Sequence, residues 1–177
     1  MIRLFLCLLL ILCAWLAGRC YTSFYSRRCD YLSGLLEGFR SMDLRMQYQM
    51  DPLPLLFAAA AKGRKEEGDR DEPLFLLFDQ MSRGLEEAEM EPGELWKRLV
   101  KENLGHTSLE REELRVIGQL GEDLGRTDLE GQRQALSHMR RRLEALLEKA
   151  REDKKRNTKL YRALFTAGGV MGAILLI

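Results

Sequence analysis

Apolar residues along most of this chain recur every three or four positions, the spacing that places them on one face of an α-helix. The first such series extends from Leu32 to Met46, and others follow Pro73 and Pro92. No segment shows the alternation of apolar and polar residues that is typical of a half-buried strand. The pattern predicts an all-α domain, a bundle of about six helices packed through their apolar faces. The expected core positions include Leu32, Phe39, Phe78, Trp96, Ile117 and Leu143.

The breaks between helices are indicated by prolines and by a charged segment. Asp51 is a typical helix cap and precedes Pro52, with a second proline at Pro54. A turn is therefore expected here, between a first long helix and a short second one. The stretch from Lys62 to Glu72 is almost entirely charged residues and glycine, which predicts an exposed loop.

Glycines and capping residues precede the last helix. A helix is expected to begin at a capping box of Thr107 with Glu110 and to contain Gly121. Glycine inside a helix costs up to about 1 kcal/mol relative to alanine, so it usually marks the close approach of a neighbouring helix. Gly125 is predicted to close this helix as a left-handed cap. Asp128 is predicted to cap the next helix, a contribution of about 1 kcal/mol.

Both ends of the chain are apolar and uncharged, from Leu4 to Gly18 and from Ala163 to Ile177. As helices, these segments of about 15 residues cover about 22 Å of a hydrocarbon core of about 30 Å, so each is short for a span. Lysines and arginines cluster at their inner borders, which is typical of residues retained on the cytoplasmic side of a membrane. We therefore predict a transmembrane helix at each end, continuous with the adjacent bundle helix.

The resulting organisation is a membrane anchor at residues 1–18, a cytoplasmic bundle at 19–162 and a membrane segment at 163–177. Hydrophobic ends that lie at the interface or dock on the domain are the alternative. A cleaved signal peptide is a further alternative for the first segment, although Trp15 stands where cleavage needs a small residue. Gly168 and Gly172 have the spacing that allows two membrane helices to approach closely. We expect them to contact another membrane protein or the first segment.

Composition limits the chemistry that the chain can perform. The formal net charge is +1, which argues against nucleic acid as a partner. The four cysteines form no CxxC pair, and neither His106 nor His138 has a further ligand at a metal-binding spacing. No phosphate-binding loop of the GxxxxGK type occurs, so nucleotide hydrolysis is not expected. The sequence thus predicts a protein that is not an enzyme and that binds no cofactor or metal.

The segment from Leu120 to Gln132 resembles the LGxxLGxxDxxxQ signature of the stage III sporulation protein AB family of endospore-forming bacteria. Two further segments resemble that family, its Y-x-x-x-PLP turn and its KLYR-type terminus. They comprise Tyr48, Pro52, Leu53 and Pro54, and Lys159, Leu160, Tyr161 and Arg162. The chain departs from the family at Phe165 and Thr166, where a glycine is common, and in its unusually charged loop.

The resemblance implies a helical domain similar to that of the inner-membrane platform proteins of type II secretion and type IV pilus machines. It implies a scaffold subunit of the channel complex between mother cell and forespore, required for sporulation after engulfment. The protein would lie in the mother-cell-derived membrane around the forespore, with its main domain in the mother-cell cytoplasm. Expected partners are other channel subunits, including a cytoplasmic secretion-type ATPase, and membrane lipid; a homo-oligomer is possible.

The residues singled out are structural and interaction residues rather than catalytic ones. They are Pro52, Pro54, Gly121, Gly125, Asp128, Gln132, Lys159, Tyr161, Arg162, Gly168 and Gly172. Two other functions remain open. The basic run from Lys149 to Arg162 is suited to binding anionic lipid at a membrane surface. The second open function is that of an exported helical enzyme with a cleaved leader.

Overall fold

The structure is a computed structural model of the 177-residue chain, and it describes residues 2–66, 72–88, 90–119, 121 and 129–176. Over these residues it is entirely helical, with six helices and no strand. The helices are α1 (Ile2–Tyr48), α2 (Leu53–Glu66), α3 (Glu72–Glu87), α4 (Pro92–Leu104), α5 (Arg111–Gln119) and α6 (Leu129–Leu176). The prediction of an all-α chain of about six helices is confirmed.

The chain divides into two compact units. Unit 1 comprises Met1–Cys29 and Glu148–Ile177, and unit 2 comprises Asp30–Leu147. The first and last helices continue without a break into the apolar ends, as predicted. Among the described residues, no helix carries an apolar stretch that is long enough to cross a membrane.

Four aromatic rings from four successive helices form the centre of unit 2. The Phe39 ring centroid of α1 lies 6.2 Å from that of Phe78 in α3 and 5.7 Å from that of Trp96 in α4. Phe57 of α2 contacts the same two rings, at 6.2 and 6.0 Å. Each such pair stabilises the fold by about 0.5–1.5 kcal/mol beyond the burial of its apolar area. The core positions predicted from periodicity are buried, namely Leu32, Phe39, Phe78, Trp96, Ile117 and Leu143.

Two glycines allow α1 and α3 to pack closely. A methyl group at Gly38 would lie 2.6 Å from the Cζ atom of Phe78, and one at Gly34 would overlap the Leu74 side chain. The two contacts are one helical turn apart on both helices, so the small residues of α1 accommodate the large residues of α3. The sequence shows the spacing of four residues between the glycines, but it does not identify Leu74 and Phe78 as their neighbours.

Two helix boundaries differ from those predicted. Helix α2 continues to Glu66, beyond the expected end at Lys62, and Arg64 within the added turn is buried. The first part of the expected loop is therefore helical, and residues 67–71 lie outside the described residues. The prediction ended the helix too early because a run of charged residues is normally taken to be exposed to solvent, whereas part of this run is buried against the bundle.

Helix α5 begins at Arg111, and the capping hydrogen bond seen at its start lies three residues after the predicted capping box. The backbone N–H of Glu110 donates a hydrogen bond to the Glu113 carboxylate at 2.9 Å, and Glu113 is buried. The Thr107 hydroxyl instead donates to the Leu104 carbonyl oxygen at 2.6 Å, closing the turn after α4. The same hydroxyl oxygen accepts a long hydrogen bond of 3.5 Å from the Leu109 N–H, so Thr107 takes part in the turn between α4 and α5.

Candidate functional site

The predicted site residues are divided between the two units. Pro52, Pro54, Gly121 and Gln132 belong to unit 2, and Lys159, Tyr161, Arg162, Gly168 and Gly172 to unit 1. Gly125 and Asp128 lie outside the described residues, so the caps predicted there stay predictions. Each unit therefore presents its own part of the candidate site.

Gly121 lies against the indole of Trp96. Helix α5 ends at Gln119 and Gly121 occupies a turn, in contrast to the prediction that placed it inside a helix. A methyl group at this position would lie 2.7 Å from Trp96 Cβ and would overlap the ring atoms Cγ and Cδ1. The close approach inferred from the sequence is present, but the neighbour is an aromatic side chain.

Trp96 lies in α4 and connects this helix to α5. Its side chain is fully buried, and its Nε1–H donates a hydrogen bond of 2.8 Å to the carbonyl oxygen of Ile117 in α5. A buried indole N–H needs such an acceptor, since an unpaired one costs about 1–3 kcal/mol. The ring therefore has one orientation, held by this bond and by Phe39 and Phe57. Gly121 is the small residue that this orientation requires.

The two prolines of the predicted turn organise the corner between α1 and α2. The Pro52 carbonyl oxygen accepts hydrogen bonds from Leu55 N–H at 3.0 Å and Leu56 N–H at 3.2 Å, which begin α2. The Pro54 carbonyl oxygen accepts a hydrogen bond of 2.8 Å from the hydroxyl of Ser82 in α3. The corner is thereby attached to the bundle through backbone oxygens, which is a structural role.

Ion pairs connect α1 and α6 within unit 2, and the sequence analysis did not predict them. Arg140 donates to the Asp43 carboxylate at 2.7 Å, and Arg40 donates to Glu144 at 3.0 Å. The Asp43 side chain is only 10% exposed, whereas Arg40 and Glu144 are both about half exposed. The exposed pair contributes little, because solvent screens it. The partners are about a hundred residues apart in sequence, so no local spacing identifies them.

Polar residues of unit 1 pair between α1 and α6. Arg28 is 1% exposed and donates to the Asp153 carboxylate at 3.3 Å. Lys154 donates to the Ser26 hydroxyl oxygen at 3.0 Å. From the sequence, Arg28 and Lys154 belonged to the basic borders of the apolar ends, but their side chains bond across the helix pair. Lys159 remains exposed on α6.

The other predicted residues of unit 1 have different surroundings. Tyr161 is half-buried, and Gly168 is exposed, with no described atom within 4 Å of a methyl group placed there. A helix contact at Gly168 is therefore not seen among the described residues. In unit 2, Gln132 is half-buried in the first turn of α6.

The described residues contain no group of three or more His, Cys, Asp or Glu side chains that could hold a metal ion. His106 and His138 are exposed, and Cys29 is buried. The buried acidic groups, Asp43 and Glu113, make hydrogen bonds that stabilise the fold. The roles that the structure shows for Asp43 and Glu113 are therefore structural ones.

Comparison with known proteins gives two matches. The model of the family described as Stage III sporulation protein AB matches residues 3–177. A solved structure of Stage III sporulation protein AB (SpoIIIAB) superposes with a TM-score of 0.62 and 23% sequence identity, over 73% of this chain and 98% of that chain. This second likeness shows a shared fold. No curated protein sequence matches the chain.

Proposed function

Because the chain belongs to the stage III sporulation protein AB family, we propose that it is a non-enzymatic membrane scaffold in a secretion-like channel complex between mother cell and forespore. Family membership itself implicates the chain in sporulation. In this proposal, unit 2 faces the mother-cell cytoplasm and presents its surface to other channel subunits, including a secretion-type ATPase. The two apolar ends attach it to the mother-cell-derived membrane around the forespore, in the manner of platform proteins of type II secretion machines.

The distribution of side chains in unit 1 is the observation that carries the membrane part of this proposal. Large apolar side chains face outward, with Phe24, Leu160 and Leu164 about half exposed, while Arg28 is buried beside Asp153. In a helix pair surrounded by water, large apolar side chains normally lie between the helices and not on the outer face. Apolar outer faces favour apolar surroundings, and this supports attachment of the unit to a membrane.

A crosslinking pull-down from sporulating cells tests the scaffold role. An affinity-tagged full-length chain, expressed in place of the native one, is expected to recover other subunits of the channel complex and the cytoplasmic ATPase. The same tagged chain expressed in vegetative cells is the control, since the complex is not formed there. Recovery of no channel subunit, although the tagged chain is intact and supports spore formation, would contradict the proposal.

Binding of anionic lipid headgroups is a second candidate function, favoured by the exposed basic side chains of α6. Lys155 and Lys159 are exposed, as is Arg156. Arg156 donates to Asp153 at 3.0 Å, and Lys154 is bonded to Ser26. The two exposed lysines are therefore the better residues to change, because their replacement leaves the pairing inside unit 1 intact.

Replacing Lys155 and Lys159 with glutamine tests the lipid candidate. A basic residue near an anionic surface contributes about 1 kcal/mol, so the double variant should bind anionic vesicles roughly thirtyfold more weakly. Vesicle flotation measures the affinity for phosphatidylglycerol vesicles relative to phosphatidylcholine vesicles, which cancels insertion of the apolar ends. The matched control replaces Lys62 and Lys101, exposed lysines of unit 2. An equal preference for anionic vesicles in both variants would exclude the lipid role.

A further inference from the structure

The exposed large apolar side chains of unit 2 are confined to one corner. Among the described residues of this unit they are Leu44 at 56% exposure, Tyr48 at 82%, Met50 at 69% and Leu55 at 51%. These four residues, here named the corner patch, lie where α1 ends and α2 begins. Single exposed apolar residues are ordinary on protein surfaces, but their concentration in one place is typical of an interaction site.

The corner patch is held in a fixed conformation. Met50 has a backbone φ of 54°, in the left-handed region that costs a residue other than glycine about 1 kcal/mol or more. The prolines that follow restrict the chain, and the Ser82 hydroxyl is bonded to the Pro54 carbonyl oxygen. A rigid surface loses little conformational entropy on binding, so the patch is preorganised for a partner.

A cation and an anion lie side by side at the edge of the corner patch. Arg45 lies 3.8 Å from the Asp51 carboxylate, and its side chain is 47% exposed. An isologous contact needs a surface that is complementary to itself, and one cation beside one anion satisfies this requirement. Turning a second copy by a two-fold axis can place Arg45 of each copy opposite Asp51 of the other, with the apolar side chains between them.

We propose that the corner patch is a self-association surface, through which two copies of this chain pair about a two-fold axis. Tyr48 and Met50 pack against the same residues of the second copy, and Arg45 exchanges its own Asp51 for that of the other chain. Stable interfaces bury about 800 Å² on each partner, more than four side chains supply, so the pair is weak in dilute solution. This part rests on the membrane attachment proposed above, because confinement in one membrane raises the effective concentration and populates the pair.

Photo-crosslinking of the full-length chain in membranes of a bacterial host that does not form spores tests the pairing. The photoreactive residue p-benzoylphenylalanine replaces Tyr48, and in the control it replaces Glu102, an exposed residue of α4. A covalent dimer of this chain at position 48, about tenfold above the control, is expected. A product with another protein, or no product, would overturn the proposal. The host lacks the other channel subunits, so the result is independent of the scaffold role.

Charge exchange separates pairing from folding. The variants Arg45→Asp and Asp51→Arg should each lose the dimer, because like charges then face one another across the two-fold axis. Expressed together with different tags, they should form the mixed dimer, in which opposite charges meet again. A contact within one chain cannot be restored by a second chain. Failure of the mixed pair to form, with both variants folded, would overturn the proposed geometry.

Met50→Gly provides a variant that is not expected to harm the fold. Glycine adopts the left-handed region without strain, so the melting temperature should stay the same or rise. The dimer should nevertheless decrease about tenfold, because the exposed side chain is lost. An unchanged dimer yield in this variant would show that the corner patch is not the surface used.

Discussion

Replacing Gly121 with leucine is expected to disrupt the junction of α4 and α5 and to block sporulation after engulfment, while vegetative growth stays normal. Even the first carbon of a side chain would overlap the Trp96 ring, which is fully buried and cannot turn without breaking its bond to Ile117. Overpacking of a rigid core costs about 1–3 kcal/mol and occasionally more, and the upper end is expected here. Urea denaturation of the full chain in detergent, followed by circular dichroism, measures the loss.

The chain offers a matched control for this change. Gly63 lies in α2 and is exposed, with no atom of the described residues within 4 Å of a methyl group placed there. Gly63→Leu adds the same side chain, and it should leave stability unchanged or raise it by up to about 1 kcal/mol, since leucine favours the helix. Normal spore yield and unchanged stability in the Gly121→Leu variant would contradict the packing role of Gly121.

Replacing Trp96 with alanine is expected to have the largest effect on stability, about 3–5 kcal/mol, because it opens a cavity at the centre of unit 2. The indole contacts Phe39 and Phe57, so rings from α1 and α2 lose a neighbour at once. Trp96→Phe keeps most of the ring and removes the hydrogen bond to Ile117, which should cost about 1–2 kcal/mol. The same denaturation experiment gives both values.

The two changes should not be additive. Alanine at position 96 leaves space for a larger residue at 121, so the double variant should be more stable than the sum of the two losses predicts. The coupling free energy of such a double-mutant cycle reports direct contact between the two residues. Strict additivity within about 0.5 kcal/mol would indicate that Gly121 and Trp96 do not touch.

Most of the fold could be predicted because helical periodicity is a local property. Leu32 and Phe39 share one face of α1 through their spacing alone, and both are buried. Prolines that lack a backbone N–H mark helix starts in the same local way, as at Pro92, the first residue of α4. The start of α5 was less predictable. The Thr107 hydroxyl can donate to a preceding carbonyl oxygen, as it does to that of Leu104, or accept from the N–H groups that follow, and local sequence does not decide between these bonds.

The candidate site was predicted less completely, because its contacts join residues far apart in sequence. The sequence predicted that another part of the chain packs closely against Gly121, but it did not identify Trp96 as that neighbour. From its position in the sequence, Arg28 belongs to the basic border of the first apolar end. In the structure it is buried and bonded to Asp153, 125 residues away. No rule of local spacing connects such a pair, since the free energy of burying a charge depends on what the fold brings beside it.

The sequence by itself determined the helices, their apolar faces, the uncharged ends and the family, since each of these depends on the order and spacing of nearby residues. The tertiary structure alone decided which glycines are closely packed, which arginines are buried and where apolar side chains remain exposed. These properties depend on partners supplied by other helices. The concentration of exposed apolar residues at Tyr48 and Met50 is one such property. A periodic pattern does not distinguish an apolar residue that stays exposed to solvent from one that packs against another helix.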